Sequence, residues 1–138
     1  MIKDIKDIFC DVEVYNIYSA CMYEPSFEKF KAKAVSFSDS SFSLFGYYCD
    51  DILIGVIATK EKVASIEIVG IAVKETSRKK GVGTKLIDYI KENSNKPIFA
   101  STDCDAVNFY KKCGFAVKKH TVSDSNDTYT RYNCSYFC

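Results

Sequence analysis

Two rhythms of apolar and polar residues meet in the middle of this chain. Ile66, Ile68, Val69, Ile71, Ala72 and Val73 are branched or small, as a buried strand requires. Lys74 to Lys80 is polar and ends that strand. Gly81 and Gly83 then open a helix, placed from Gly83 to Asn93, with Val82, Leu86, Ile87 and Ile90 on one stripe and Lys85, Asp88, Lys91 and Glu92 facing away. Within the strand, Ile66 and Ile68 share one parity and Ile71 and Val73 the other, with the slip at Val69-Gly70. A β-bulge there would return all four to one face and free backbone N–H groups. A strand buried on both faces, where parity carries no meaning, accounts for the pattern equally well.

The same reading extends outward from this unit. Met1 to Phe9 fits either a short first strand or an irregular arm. Val12 to Tyr23 is partly helical in period, through Val12, Tyr15, Tyr18, Ala20 and Met22, and Pro25 breaks it. Ser26 is placed to cap a second helix with Phe27, Phe30, Ala34 and Phe37 on one face. Ser36 to Ser43 reads as a loop. Leu44 to Cys49 and Ile52 to Lys60 form a hairpin about Asp50-Asp51, and Glu61-Lys62 turns into the central strand from Val63. Ile98 to Ser101 is a short strand, parallel to the central one across the helix. Asp105 to Cys113 is a further helix stopped by Gly114. Phe115 to Val122 and Thr128 to Phe137 close the chain as a hairpin around a polar loop, Ser123 to Asp127. The sum is one α/β domain, 1–138, with a mixed, mostly antiparallel twisted sheet of six or seven strands and about four helices.

Composition narrows the chemistry. At 138 residues and 47% hydrophobic content the chain can bury a true core. It has no apolar run long enough to span a membrane and no signal-peptide pattern at MIKDIKDIFCD, so no membrane partner is expected. A net charge of +1 argues against binding nucleic acid through bulk electrostatics. The 7 cysteines, Cys10, Cys21, Cys49, Cys104, Cys113, Cys134 and Cys138, are odd in number and irregularly spaced, which points to reduced thiols and a cytoplasmic setting. With no C-x-x-C and a single histidine, His120, no metal site is expected.

The strand–turn–helix junction is the strongest chemical signal. A helix N-terminus presents unpaired N–H groups and partial positive charge, glycines allow close backbone approach, and Arg78, Lys79 and Lys80 add cations. Together they make an anion cradle suited to phosphate. A plain strand–helix turn with a solvated basic face is the alternative. The order Gly83-Thr84-Lys85 does not fit a P-loop, and Leu86 stands where a dinucleotide-binding turn needs its third glycine.

Arg78, Gly81 and Gly83 match R-x-x-G-x-G, and this resembles the pyrophosphate loop of the GCN5-related N-acetyltransferases, the GNAT superfamily. Asp105 to Phe115, DAVNFYKKCGF, resembles the same superfamily's A-x-x-F-Y-x-x-x-G-F signature through Ala106, Phe109, Tyr110, Gly114 and Phe115. The resemblance covers about Leu53 to Phe115 well and the two ends loosely. It implies acetyl-CoA as cosubstrate and direct transfer of its acetyl group to the amine of a small molecule or peptide. A non-catalytic acyl-CoA-binding or sensing domain is the alternative.

The resemblance also implies roles. Main-chain groups of Ile71, Ala72 and Val73 would pair with the pantetheine arm, admitted by the bulge. Arg78, Lys79, Lys80, Gly81, Val82, Gly83 and Thr84 would hold the diphosphate. Tyr110 would contact the CoA sulfur and protonate it, or else be a packed aromatic. Glu67 matches a catalytic glutamate of some members, or else is an ion-paired strand residue. Asn108 is a further polar contact. Asp103 stands where the family often has Asn, and as an acceptor without an amide donor it is doubtful as a pantetheine contact. The acidic stretch Ser123 to Asp127 and Glu24 would border the substrate opening and attract a cation, with a solvated loop as the plainer reading. The sequence leaves monomer and homodimer both open.

Overall fold

The computed structural model describes residues 1–137 and their side chains apart from that of Phe37. Cys138 and the expected core contact of Phe37 therefore lie outside what is described. Seven strands are present among the described residues: β1 (Ile2–Asp4), β2 (Phe42–Cys49), β3 (Ile52–Glu61), β4 (Ile66–Val73), β5 (Ile98–Thr102), β6 (Ala116–Asp124) and β7 (Asp127–Tyr136). The α-helices are α1 (Val12–Tyr18), α2 (Phe27–Phe37), α3 (Val82–Glu92) and α4 (Val107–Lys112). The strands form one sheet in the order β1-β2-β3-β4-β5-β7-β6, parallel only between β4 and β5.

Local chemistry accounts for the connections. Asp50 and Asp51 both take left-handed φ, 51° and 64°, as a two-residue hairpin turn requires. The Ser26 hydroxyl accepts a hydrogen bond from the Lys29 N–H at 3.1 Å and caps α2. Gly114, at φ 89°, ends α4, and the Phe115 N–H reaches back to the Tyr110 carbonyl.

Two cores lie on opposite faces of the sheet. Leu86 and Ile87 of α3 are fully buried with Ile57, Ile66, Ile68 and Ile98, and Tyr110 of α4 joins them. On the other face α1 and α2 bring Val14, Ile17, Tyr18 and Phe30 onto Leu44, Val56 and Ala72. Each fully buried aliphatic side chain contributes about 1.5–3 kcal/mol relative to exposure.

The structure corrects several boundaries. The first helix ends at Tyr18 and passes into a 3-10 turn, Ser19–Cys21, rather than running to Tyr23. Its buried face is Val14, Ile17 and Tyr18, while Val12 is 57% exposed. β4 begins at Ile66, not Val63, because a turn closed by Lys62 N–H to the Ser65 carbonyl leaves Val63 98% exposed. The helix expected from Asp105 starts at Val107, since the Asp103 carboxylate holds the N–H groups of Asp105 and Ala106 in a turn ahead of it. The polar loop Ser123 to Asp127 is a tight turn, for Asp124 still pairs with Asp127 across the hairpin. Of the two readings of the N-terminus, strand and arm, the first residues take the strand: Ile2–Asp4 pairs with β2.

Candidate active site

The parity slip in β4 is a bulge. Ala58 pairs with Gly70 and Thr59 with Ile68, leaving Val69 as the extra residue. Ile66 and Ile68 are buried in the α3-side core, and Ile71 and Val73 pack against it, so one face is restored. Pairing of β4 with β5 stops at Ile68 opposite Ala100. Beyond it the two strands part, and a gap opens in the sheet.

The backbone facing that gap can be identified from the hydrogen-bond alternation of an antiparallel pair. The Lys74 N–H donates to the Ile54 carbonyl at 2.7 Å. Even-numbered residues of this part of β4 therefore bond to β3, and Ile71 and Val73 turn their N–H and carbonyl groups toward the gap. The Val73 carbonyl accepts from Arg78 Nε at 3.0 Å.

Side chains from both faces of the sheet meet there. Tyr18 lies directly over Gly70: a Cβ on that glycine would stand 2.4 Å from the tyrosine hydroxyl. Burial pushes the Cys21 thiol up to about 11, outweighing the Ile71 N–H and the Lys33 ammonium, which favour its thiolate. Cys21 is exposed as a residue while its sulfur, donating to the Tyr18 carbonyl at 3.1 Å, is sunk toward the sheet. Tyr110 approaches from the α4 side. Its ring is 5% exposed and meets Phe109 and Phe115 edge-on at 5.3 and 5.4 Å. Burial raises its phenol, and the thiols of Cys134, Cys21 and Cys113 act in the same direction. Cys21 and Tyr110 lie on opposite faces of the sheet, and the Cys21 thiol adds to the rise at Tyr110.

At the end of β4 the chain turns through Lys79 and Gly81, at φ 64° and 80°, into α3. No side chain caps α3 and no acid stands in its first turn. The N–H groups of Val82, Gly83 and Thr84 have no intrahelical acceptor. Arg78, Lys79 and Lys80 are exposed around this turn. The two glycines serve different ends. A Cβ on Gly81 would meet nothing within 4 Å, so its conformation is what demands glycine, whereas a Cβ on Gly83 would press on the Phe109 ring at 3.0 Å. Thr84 Oγ1 accepts a weak hydrogen bond from the Cys113 thiol at 3.9 Å. Asn108 is exposed.

Glu67 is on β4 two residues before the bulge, on the face away from Ile66 and Ile68. It lines a hollow of 410 Å³ with Phe99, Ser101, Asn133 and Ser135, and pairs with Lys62 at 3.4 Å. Its side chain is 39% exposed. The structure thus brings Ile71, Val73 and Tyr110 into one cluster with Phe109, against which Gly83 of the turn rests, while Glu67 stands two residues before the bulge on the opposite face. Asn108 and the 124–127 turn have no described contact with the gap. Tyr18, Cys21 and Lys33 went unnoticed as site residues in the sequence. Only Gly70 hinted at them, since a strand glycine often marks close approach by another group.

Among the described residues no group of three or more His, Cys, Asp or Glu stands close enough to hold a metal. No helix there is long and apolar enough to cross a membrane.

The sheet thus splits beside a bulged strand, over an uncapped helix start. The family model of the acetyltransferase (GNAT) domain matches residues 14–136, and the chain belongs to that family. No curated protein matches it. Among solved structures it is similar to an acetyltransferase of Bacillus subtilis in complex with CoA, at 20% identity, covering 99% of this chain and 97% of that one, with a TM-score of 0.72. An aminoglycoside 6'-acetyltransferase type Ii is 17% identical over 99% and 96% of the two chains, with a TM-score of 0.79. A GNAT acetyltransferase of Elizabethkingia anophelis with acetyl-CoA bound is 16% identical over 100% and 97%, with a TM-score of 0.75.

Proposed function

We propose that this chain is an acetyl-CoA-dependent N-acetyltransferase, acting as one domain, that moves the acetyl group directly to the amine of a small molecule or peptide. The observation that carries the reading is the gap beyond Ile68, toward which Ile71 and Val73 turn backbone groups that no neighbouring strand takes up, in line with the uncapped start of α3. The pantetheine arm would add to β4 as a short strand through Ile71 and Val73, passing Ala72. Its diphosphate would rest on the N–H groups of Gly81, Val82, Gly83 and Thr84, with Arg78, Lys79 and Lys80 supplying charge. The Ile71 N–H is then a donor for the oxyanion that forms as the amine attacks the thioester carbon.

The attacking amine must be neutral, and Glu67 is the candidate base, directly or through water. Its carboxylate lies 3.4 Å from the Lys62 ammonium. As the carbon–sulfur bond breaks, the electron pair goes to the CoA sulfur and Tyr110 supplies the proton or a hydrogen bond to it. Asn108 and Thr84 are peripheral polar contacts. A buried thiol held up near 11 is a poor nucleophile at neutral pH, which favours direct transfer over an acetyl-cysteine intermediate on Cys21.

Calorimetry with CoA, together with thiol release from acetyl-CoA against an amine panel, tests the proposal. Micromolar binding that Arg78→Ala weakens about tenfold is expected. Absence of binding overturns the reading. Because the Glu67 carboxylate is already paired, a CoA-binding or sensing domain without turnover is the second reading, and tight binding without thiol release from any amine would favour it.

A further inference from the structure

The acceptor's chemistry can be read from a second hollow, on the other side of the bulge from Glu67. It has a volume of 470 Å³ and is walled by Tyr18, Cys21, Met22 and Val69, with Lys29 and Lys33 at its rim. Both titratable rim groups are cations, and no carboxylate lines it. Lys29 is engaged: its ammonium donates to the Glu24 carbonyl at 2.8 Å and pairs with the Glu24 carboxylate at 3.9 Å. That pair also occupies Glu24, which the sequence suggested as an attractor of cations. Lys33 has no ion pair among the described residues, and its ammonium acts on the Cys21 sulfur, which itself faces the Ile71 N–H.

An unpaired cation therefore lines one hollow with Val69, the bulge residue two before Ile71. Glu67 stands on the same face of the sheet beyond Val69. We infer that the acceptor is a small amine bearing a carboxylate, as an amino acid does, its carboxylate drawn by Lys33 and its amine directed between Val69 and Glu67. Polycationic acceptors meet a like charge there and are disfavoured. The ammonium of Lys33 also favours the neutral form of an arriving amine, the form that attacks. The inference rests on the proposed transferase reading for its orientation, but the hollow can be tested apart from it.

The experiment compares leucine with leucinamide in the thiol-release assay, for the native protein and for Lys33→Gln. The ratio of kcat/KM values, leucine over leucinamide, should fall about five- to tenfold in Lys33→Gln, with the Kd for CoA unchanged. Taking the ratio cancels the different intrinsic reactivity of the two amines. Lys31→Gln removes a charge from the same helix that is paired with Glu28, and should leave the ratio unaltered. An unchanged ratio in Lys33→Gln, or spermidine and aminoglycosides outrunning leucine, overturns the inference. If no amine turns over, calorimetric titration of N-acetylleucine into the CoA-loaded protein reads the hollow directly. Binding that Lys33→Gln weakens supports the assignment, and no binding to the native protein overturns it. Loss of CoA binding itself counts against the cradle and not against Lys33.

Discussion

At the scale of single residues, Tyr110 and Glu67 differ in how much surrounding structure supports their proposed roles. Tyr110 is fixed by two aromatic neighbours and a dry core, so its hydroxyl cannot drift. Tyr110→Phe should lower kcat by about ten- to a hundredfold and leave the KM for acetyl-CoA within about twofold. Steady-state kinetics checks this, and an unchanged kcat would reduce Tyr110 to a packed ring. Glu67 is an exposed, ion-paired carboxylate, and its Lys62 partner is an ordinary surface pair of small energetic weight. Lys62→Met is thus expected to change kcat/KM by less than about twofold. Glu67→Gln should lower it about tenfold. A kcat/KM equal to that of the native protein would assign the amine's deprotonation to solvent. Cys21 gives a third expectation of this scale. Intact mass spectrometry after incubation with acetyl-CoA alone should find no acetylated protein, because the folded environment holds the sulfur as a thiol.

At the scale of elements, β4 and the start of α3 do most to shape the site. The bulge at Val69 exists where Tyr18 rests on Gly70, and a methyl group there has no room: it would collide with the tyrosine hydroxyl, and the nearest ring atoms would lie 2.7 and 2.8 Å away. Gly70→Ala should cost about 1–3 kcal/mol and move Tyr18 off the gap. Adding Tyr18→Phe removes that hydroxyl and should recover part of the loss. Chemical denaturation of the two variants measures both, and a Gly70→Ala protein as stable as the native one would mean that α1 yields freely. Much of this element was legible in advance. The branched residues of β4, the stripe Val82, Leu86, Ile87 and Ile90, and the parity slip at Val69-Gly70 are local patterns that burial enforces along one segment. The turn into α3 was legible because the left-handed φ of 80° at Gly81 calls for glycine. What was not legible depends on contacts between distant segments. The extent of the first helix was masked because Tyr18 and Cys21 turn toward β4 instead of continuing a helical face, and no spacing records that. Gly83 looked like a ligand-facing glycine, yet half its purpose is to accept the Phe109 ring of α4. Lys33 was one of three lysines spread along α2, and only its place in one hollow with Val69, without the Glu24 partner that Lys29 has there, sets it apart.

At the scale of the whole molecule, the two cores share an unusual load of buried weak acids around the split in the sheet. Tyr18, Cys21, Tyr110, Cys113 and Cys134 all have raised ionisation values, with burial as the leading cause in each. For Cys21 the rise is from an ordinary 9.0 to about 11. The sign follows from which state binds protons. In the unfolded chain these groups ionise near their ordinary values, while in the folded protein they stay neutral and keep their protons. Their contribution to stability is therefore complete below about pH 9 and is lost as pH rises toward the folded values. Urea denaturation at successive pH values should show a plateau through neutral pH and a steep fall beginning near pH 9. CoA should soften the fall, because filling the gap favours the folded state by mass action. A stability curve that stays level to pH 11 would mean that water reaches Tyr18 and Tyr110, and the sheet's two faces would then not be dry on either side of the gap.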